Sequence, residues 1–235
     1  MRLIGFCHGV MYRSMDQYSK ENIDLFKDCG CNAIEIHCHS VDEIKKLDIL
    51  PPLIESFDYR SVHLPCVLKY KNDETTNNVL EKIENFYNKI NASLAIVHPD
   101  LVEDWNVFNK YTSVNWAIEN MDDLKASYKN VQDLKDFFNE HNDWNFVLDV
   151  EHCYANDKTM KLAEDLITEL RDKIKEIHLS GHETMHNPLH RTKQIEIIEY
   201  CKNLNVPIII ESTFEQSDNA KDVANEFNYI LKNLK

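Results

Sequence analysis

Eight short runs rich in Ile, Val, Leu and Phe recur along the 235 residues, and most are followed by a polar stretch with apolar residues at three- and four-residue spacing. This is the pattern of alternating strand and helix. Strands are expected at residues 2–7, 33–37, 61–64, 94–98, 115–120, 145–150, 174–179 and 207–212. Most read apolar on both faces, as buried parallel strands do. Helices are clearest at 16–28, 75–90, 131–141, 158–171, 192–204 and 218–234, with Asp157 and Ser217 as N-caps and Gly30 as a C-terminal stop. The second and fourth connections are short, and their helices are less defined.

Eight units average about 29 residues each, the length of a compact β/α repeat. No Pro-, Gly- or Ser-rich linker interrupts them. The expected architecture is therefore α/β, a single (β/α)8 barrel in one domain over residues 1–235. An open doubly wound sheet would call for a Gly-rich phosphate loop after an early strand, and the chain has four glycines.

Composition narrows the partners. The formal net charge of −14, from 40 acidic against 26 basic side chains, disfavours a nucleic acid partner. No apolar run approaches the ~20 residues that cross a bilayer, so no membrane association is expected. Seven scattered cysteines point to free thiols and a cytoplasmic location. Cys29 and Cys31 lack the matching second pair of a structural zinc site.

A metal-ligand side chain falls at the C-terminal end of nearly every expected strand: His8, Glu35 or His37, His63, His98, Glu119, Asp149, His178 and Glu211. His152 and His186 follow the sixth and seventh strands closely. In a barrel these ends converge on one mouth. Several carboxylates buried together there need compensating cations. Mixed imidazole and carboxylate donors suit Zn, Mn, Fe(II) or Co rather than calcium. Cys38, Cys66 and Cys153 lie near this mouth but are offset from the donors, which makes them packing residues. Trp105, Phe108 and Tyr111, after strand four, are read either as a cover for a substrate or as helix packing.

At these residues the chain resembles the xylose isomerase-like barrel superfamily, which includes sugar isomerases and epimerases and endonuclease IV. The pieces that carry the resemblance are Ser61-Val62-His63-Leu64-Pro65, Val97-His98-Pro99, Ile118-Glu119-Asn120, Leu148-Asp149-Val150-Glu151-His152, Ile177-His178-Leu179 and Ile210-Glu211. In the epimerase branch the resemblance implies one metal held by Glu119, Asp149, His178 and Glu211. The two Glu side chains would then exchange protons with the substrate, and His152 would contact it. In the endonuclease IV branch it implies three zinc ions. His63 and His98 would hold the first, and Glu119 would bridge to a second completed by Asp149, His178 and Glu211. His152 and His186 would hold the third. That branch has an Asp two residues before the last His, where this chain has Thr184, and its loop after His178 is longer.

The expected function is a metal-dependent isomerase or epimerase acting on a sugar or sugar phosphate through an enediolate. Its acid and base are Glu119 and Glu211, its cofactor is one to three divalent ions, Zn or Mn, and its substrate contacts are His8, Glu35, His37, His152 and Arg191. The alternative is an endonuclease IV-like phosphodiesterase, with Arg13, Lys69 and Arg191 as strand contacts. Against that reading, the chain has five arginines. A third possibility, a barrel that binds without catalysis, has no use for four complete ligands.

Overall fold

The computed structural model describes residues 2–235. Eight parallel strands close into one barrel in sequence order: β1 (Ile4–Cys7), β2 (Ala33–His37), β3 (Tyr59–His63), β4 (Leu94–Val97), β5 (Trp116–Glu119), β6 (Asn145–Asp149), β7 (Ile174–Leu179) and β8 (Ile208–Ile210). The single-barrel reading therefore holds. The α-helices are α1 (Lys20–Asp28), α2 (Pro51–Ile54), α3 (Glu74–Lys89), α4 (Val131–Glu140), α5 (Val150–Asn156), α6 (Lys161–Leu170), α7 (Leu189–Thr192), α8 (Ile195–Glu199) and α9 (Ala220–Asn233). Among the described residues no helix is long and apolar enough to cross a membrane, and all seven cysteines are free thiols.

Local chemistry explains where elements start and stop. Ser19 caps α1 by accepting from the Asn22 amide at 3.2 Å, so the helix begins after the turn that the apolar pattern had included. At its other end Gly30 takes φ +88°, and the amides of Gly30 and Cys31 bond back to Lys27 and Phe26, a Schellman stop. The cap of α9 is Asn219, not the expected Ser217. It forms a reciprocal capping box with Asp222. The region expected as one helix at 158–171 is α6 alone, entered through Met160 in left-handed conformation, with Asp157 accepting from the Leu162 amide. The region 192–204 divides into short helices because Lys193 also turns left-handed, at φ 61°. The second and fourth connections hold 3₁₀ turns, at Glu43–Ile49, Pro99–Leu101 and Trp105–Phe108, besides α2.

Most of the hydrophobic core lies between barrel and helices, where α1, α3, α4, α6 and α9 lay their apolar faces on the outer sides of the strands. A smaller cluster of Leu94, Ile96, Ala117 and Val147 fills part of the interior. Alternation with period two carries the same inward face on to His98, Glu119 and Asp149. The apolar plug is thus the floor of the site. On the opposite side of the interior the residues are Glu35, Ser61 and Glu176, all fully buried.

A register shift between β6 and β7 has a direct effect on the mouth. Phe146 pairs with Ile174, but Val147 pairs with Glu176, so Lys175 is skipped and left exposed. Without the shift Asp149 would face Ile177. With it, Asp149 pairs with His178.

A candidate metal centre at the mouth of the barrel

Among the described residues five groups of donors have their ligand atoms within 4.8 Å of one another; three line the mouth, and two more, Cys7 with Glu35 and Glu211 and Glu35 with Glu176 and His178, share Glu211 and His178 with the second of these. The first is His63, His98 and Glu119. Both His63 Nε2 and His98 Nε2 lie 3.3 Å from Glu119 Oε2. His63 faces that oxygen because its Nδ1–H donates to the Leu64 carbonyl at 3.0 Å.

The second group is Glu119, Asp149, His178 and Glu211. His178 Nδ1 is 3.0 Å from Glu119 Oε1 and 3.4 Å from Glu211 Oε2. Glu119 therefore turns one oxygen to each group, the arrangement of a bridging carboxylate. Asp149 is fixed by the neighbouring strand: Asn120 Oδ1 accepts from its amide at 2.8 Å and Asn120 Nδ2 donates to its carbonyl at 2.9 Å. As N-cap of α5, its Oδ1 accepts from the His152 amide at 2.8 Å. Its Oδ2 is buried without a hydrogen-bond partner, 3.6 Å from His152 Nδ1.

The third group is Glu151, His152 and His186. His152 donates from Nδ1 to the Asn120 carbonyl at 2.7 Å, which leaves Nε2 toward Glu151 Oε2 at 3.9 Å. His186 Nδ1 lies the same 3.9 Å from that oxygen, which has no hydrogen-bond partner. His186 is held in left-handed backbone at φ 50° by a loop that Gly181 and Asn187 close with two mutual hydrogen bonds. Glu151 also bonds His182. Thr184, the departure noted in the sequence, is tied by its amide to Asn187. The carboxylate of this group comes instead from Glu151, which the sequence reading left unused. Strand spacing hides Glu151, because only the turn into α5 brings it inward.

These groups fit divalent ions. A tetrahedral ion with bonds of ~2.0–2.1 Å has ligand–ligand edges of about 3.3 Å, close to the separations of Glu119 from His63, His98 and His178 and of His178 from Glu211. Glu119, Asp149 and Glu151 are each about 1 % exposed, and their only ion-pair partners are histidines. Buried carboxylates without a permanent cation need one supplied. Solvent reaches the centre past His98, Glu211 and His186, whose side chains are 18, 17 and 24 % exposed.

Electrostatics follow from this crowding. Burial, reinforced by Glu119 and Glu151, pushes Asp149 up to about 8 against the pull of His152. Burial, reinforced by Glu119, Glu35 and Asp149, likewise pushes Glu211 up to about 8 against His178. Burial opposes charge on His152, yet Asp149, Glu119 and Glu151 hold it up at about 10. His63, in the same conflict with burial, is held at about 9 by its bond to Glu119 and by Glu35. Ligation requires carboxylates and neutral imidazoles, so an entering ion must displace the protons that burial and mutual attraction hold on these groups. Zinc titrated into ion-free protein should therefore release protons at neutral pH, and its affinity should rise toward about pH 8 to 10. Calorimetry in buffers of different ionisation enthalpy reads the number released, and a value of zero contradicts this account.

The remaining candidates sit as follows. His8 is fully buried, accepting from the His37 amide at 3.1 Å. His37 Nε2 lies 3.3 Å from Cys66 Sγ. Glu35 is also fully buried, below the donors, so neither it nor His8 faces open solvent. Arg191 is engaged by Asp218 at 2.7 Å and Asp222 at 3.4 Å. Cys38 and Cys153 are buried. Trp105, Phe108 and Tyr111 do not form a cover: Phe108 and Tyr111 are buried, and Trp105 packs tilted on Phe137 and edge-to-face on Trp144, with ring centroids 4.7 and 5.1 Å apart.

No family model and no curated protein sequence matches the chain. Solved structures do. D-psicose 3-epimerase from Clostridium cellulolyticum, described with D-tagatose, superposes with a TM-score of 0.71 at 12 % identity, over 99 % of this chain and 97 % of that one. For the 3-keto-D-glucoside 4-epimerase of E. coli the values are 0.67, 12 %, 99 % and 100 %. For endonuclease IV from Thermus thermophilus they are 0.64, 12 %, 100 % and 99 %. At such identity the likeness establishes a shared fold.

Proposed function

We propose that this chain, which has the xylose isomerase-like barrel fold, is a metal-dependent enzyme that isomerises or epimerises a sugar or sugar phosphate by moving a proton beside a carbonyl. The observation that carries this reading is the convergence of Glu119, from β5, and Glu211, from the end of β8, on His178 Nδ1 at 3.0 and 3.4 Å, with Asp149 beside them.

A divalent ion held by these four residues supplies Lewis-acid withdrawal of charge from a carbonyl and its neighbouring hydroxyl. The chain supplies the rest. Asp149 and His178 are immobilised by burial and by their neighbours, which fixes the donors without ordering on binding. Glu119 and Glu211 approach from β5 and from the end of β8, so one carboxylate removes a proton and the other returns it. His152, anchored through Asn120, offers an imidazole to a substrate hydroxyl.

The cations that the sequence offered to a polyanion support a carbohydrate. Arg13 is paired with Glu215 at 2.7 Å, Arg191 with Asp218 and Asp222, and Lys69 donates to the Asp100 carbonyl at 3.0 Å. The phosphodiesterase reading draws its own support from the first and third donor groups, since clusters of two or more ions stabilise attacking and leaving oxygens.

The two readings separate in one assay. Zinc- or manganese-loaded protein is presented with a panel of ketoses and, beside it, abasic-site duplex DNA over a range of salt. Turnover of a ketose with no DNA affinity at low salt is expected. Tight, salt-dependent DNA binding with strand cleavage and inert sugars would replace the isomerase reading with the other.

A further inference from the structure

We infer that Glu35 and Glu176 are positioning residues, two buried carboxylates that grip the Nε2 side of His178 and thereby hold its Nδ1 toward the ion site. The inference rests on the metal reading above. Glu176 lies two residues before His178 on the inward face of β7, and Glu35 reaches it across the interior from β2. His178 Nε2 is 3.1 Å from Glu176 Oε1 and 3.2 Å from Glu35 Oε2, and all three residues are fully buried. Glu35 is braced in turn, the Ser61 hydroxyl donating to its Oε2 at 3.4 Å.

The placement is costly without such a role. The other side of the interior is filled by Leu94, Ile96, Ala117 and Val147, so the barrel has an apolar solution to the same space. Two carboxylates there lose their hydration, and no Lys or Arg side chain pairs with either. Each retains one oxygen, Glu35 Oε1 and Glu176 Oε2, with no hydrogen-bond partner.

Geometry gives the reason. Both ring nitrogens face carboxylates, Nδ1 toward Glu119 and Glu211 and Nε2 toward Glu176 and Glu35; an ion taken by the first pair would claim the Nδ1 lone pair, and Nε2 would then carry the ring N–H that the second pair accepts. Two acceptors straddling that N–H also oppose rotation of the ring about the Cβ–Cγ bond. Alternation along β7 puts Glu176 and His178 together on this face, and the register shift at the start of the strand pairs them with Val147 and Asp149.

The test uses zinc alone as probe. Dissociation constants are read by competition with a chromophoric chelator in wild type, in Glu35→Gln with Glu176→Gln, and in Glu35→Leu with Glu176→Leu. The Gln pair keeps carbonyl acceptors for the Nε2–H and should stay within a few-fold of wild type. The Leu pair should bind zinc roughly 10–100-fold more weakly, the usual consequence of losing an outer partner of a metal-bound histidine. Nitrogen-edited NMR of the zinc-loaded proteins should show the His178 Nε2–H in wild type and the Gln pair and its exchange broadening or loss in the Leu pair. Glu35→Ala, with Glu176 left in place, is the milder arm should the Leu pair not fold, and a several-fold loss is expected. Wild-type affinity and an unchanged Nε2–H signal in the folded Leu or Ala variant would overturn the inference alone. Wild-type protein that binds no zinc would overturn the metal reading and the inference with it.

Discussion

Glu119→Gln should abolish tight metal binding at two donor groups at once. Glu119 Oε2 faces His63 and His98 at 3.3 Å while Oε1 faces His178 at 3.0 Å, so both groups depend on one carboxylate. Against the upward push of burial, His178 and the hydrogen bonds from His178, His63 and His98 hold Glu119 well below the usual carboxylate range. It is thus the dominant anion of the mouth. An amide has nearly the same volume but offers one acceptor oxygen and no charge, and cannot bridge. Loss of affinity should exceed the roughly 10–100-fold seen when only an outer partner is removed, and turnover should fall to background. Chelator competition checks the first, and an affinity and stoichiometry equal to wild type would remove Glu119 from the bridging role.

Glu211→Gln should separate chemistry from binding. Glu211 follows β8 directly, its amide donates to the Leu179 carbonyl at 3.0 Å, and its side chain is the most open of its donor group. Asp149, His178 and Glu119 remain to hold an ion in the variant. Turnover of a ketose substrate should nonetheless fall by ~10²–10⁴, the usual contribution of a positioned acid or base. Metal content measured on the same sample should stay near wild type. Full turnover with metal retained would leave Glu211 as a ligand and nothing more.

Much of this was legible in the chain because strands and ligands share one signal. A run of Ile, Val and Leu that ends in His, Asp or Glu marks both a buried strand and its open end, so β2 and β7 fall at the expected bounds, and Glu119, Asp149, His178 and Glu211, named from the sequence, lie together in the structure. β3 begins two residues earlier than expected, at Tyr59, since the amides of Asp58 and Tyr59 already bond the Asn32 carbonyl at the start of β2. That pairing belongs to a neighbour and leaves no mark in the local pattern.

Much of what the pattern hid lies in irregular backbone. α5 spans Val150–Asn156 and carries Glu151, His152 and Cys153 inward, so its residues serve the site and lack the amphipathic period of a surface helix. Glu151 was missed for that reason. Alternation along β7 does put Glu176 on the face of His178, but it lies one step below the strand end that marked the other donors and was passed over for that reason. Lys193, a non-glycine residue in left-handed conformation, ended α7 where no glycine announced a turn, and His186 takes the same conformation inside a loop.

The central claim is that Glu119, Asp149, His178 and Glu211 share one divalent ion. Anomalous diffraction from crystals of protein loaded with zinc or manganese, recorded at the edge of the added metal, tests it most directly. A peak within bonding distance of His178 Nδ1 and of oxygens from Glu119, Asp149 and Glu211 is the predicted result. A metal-replete crystal with no anomalous density among these four side chains would contradict it.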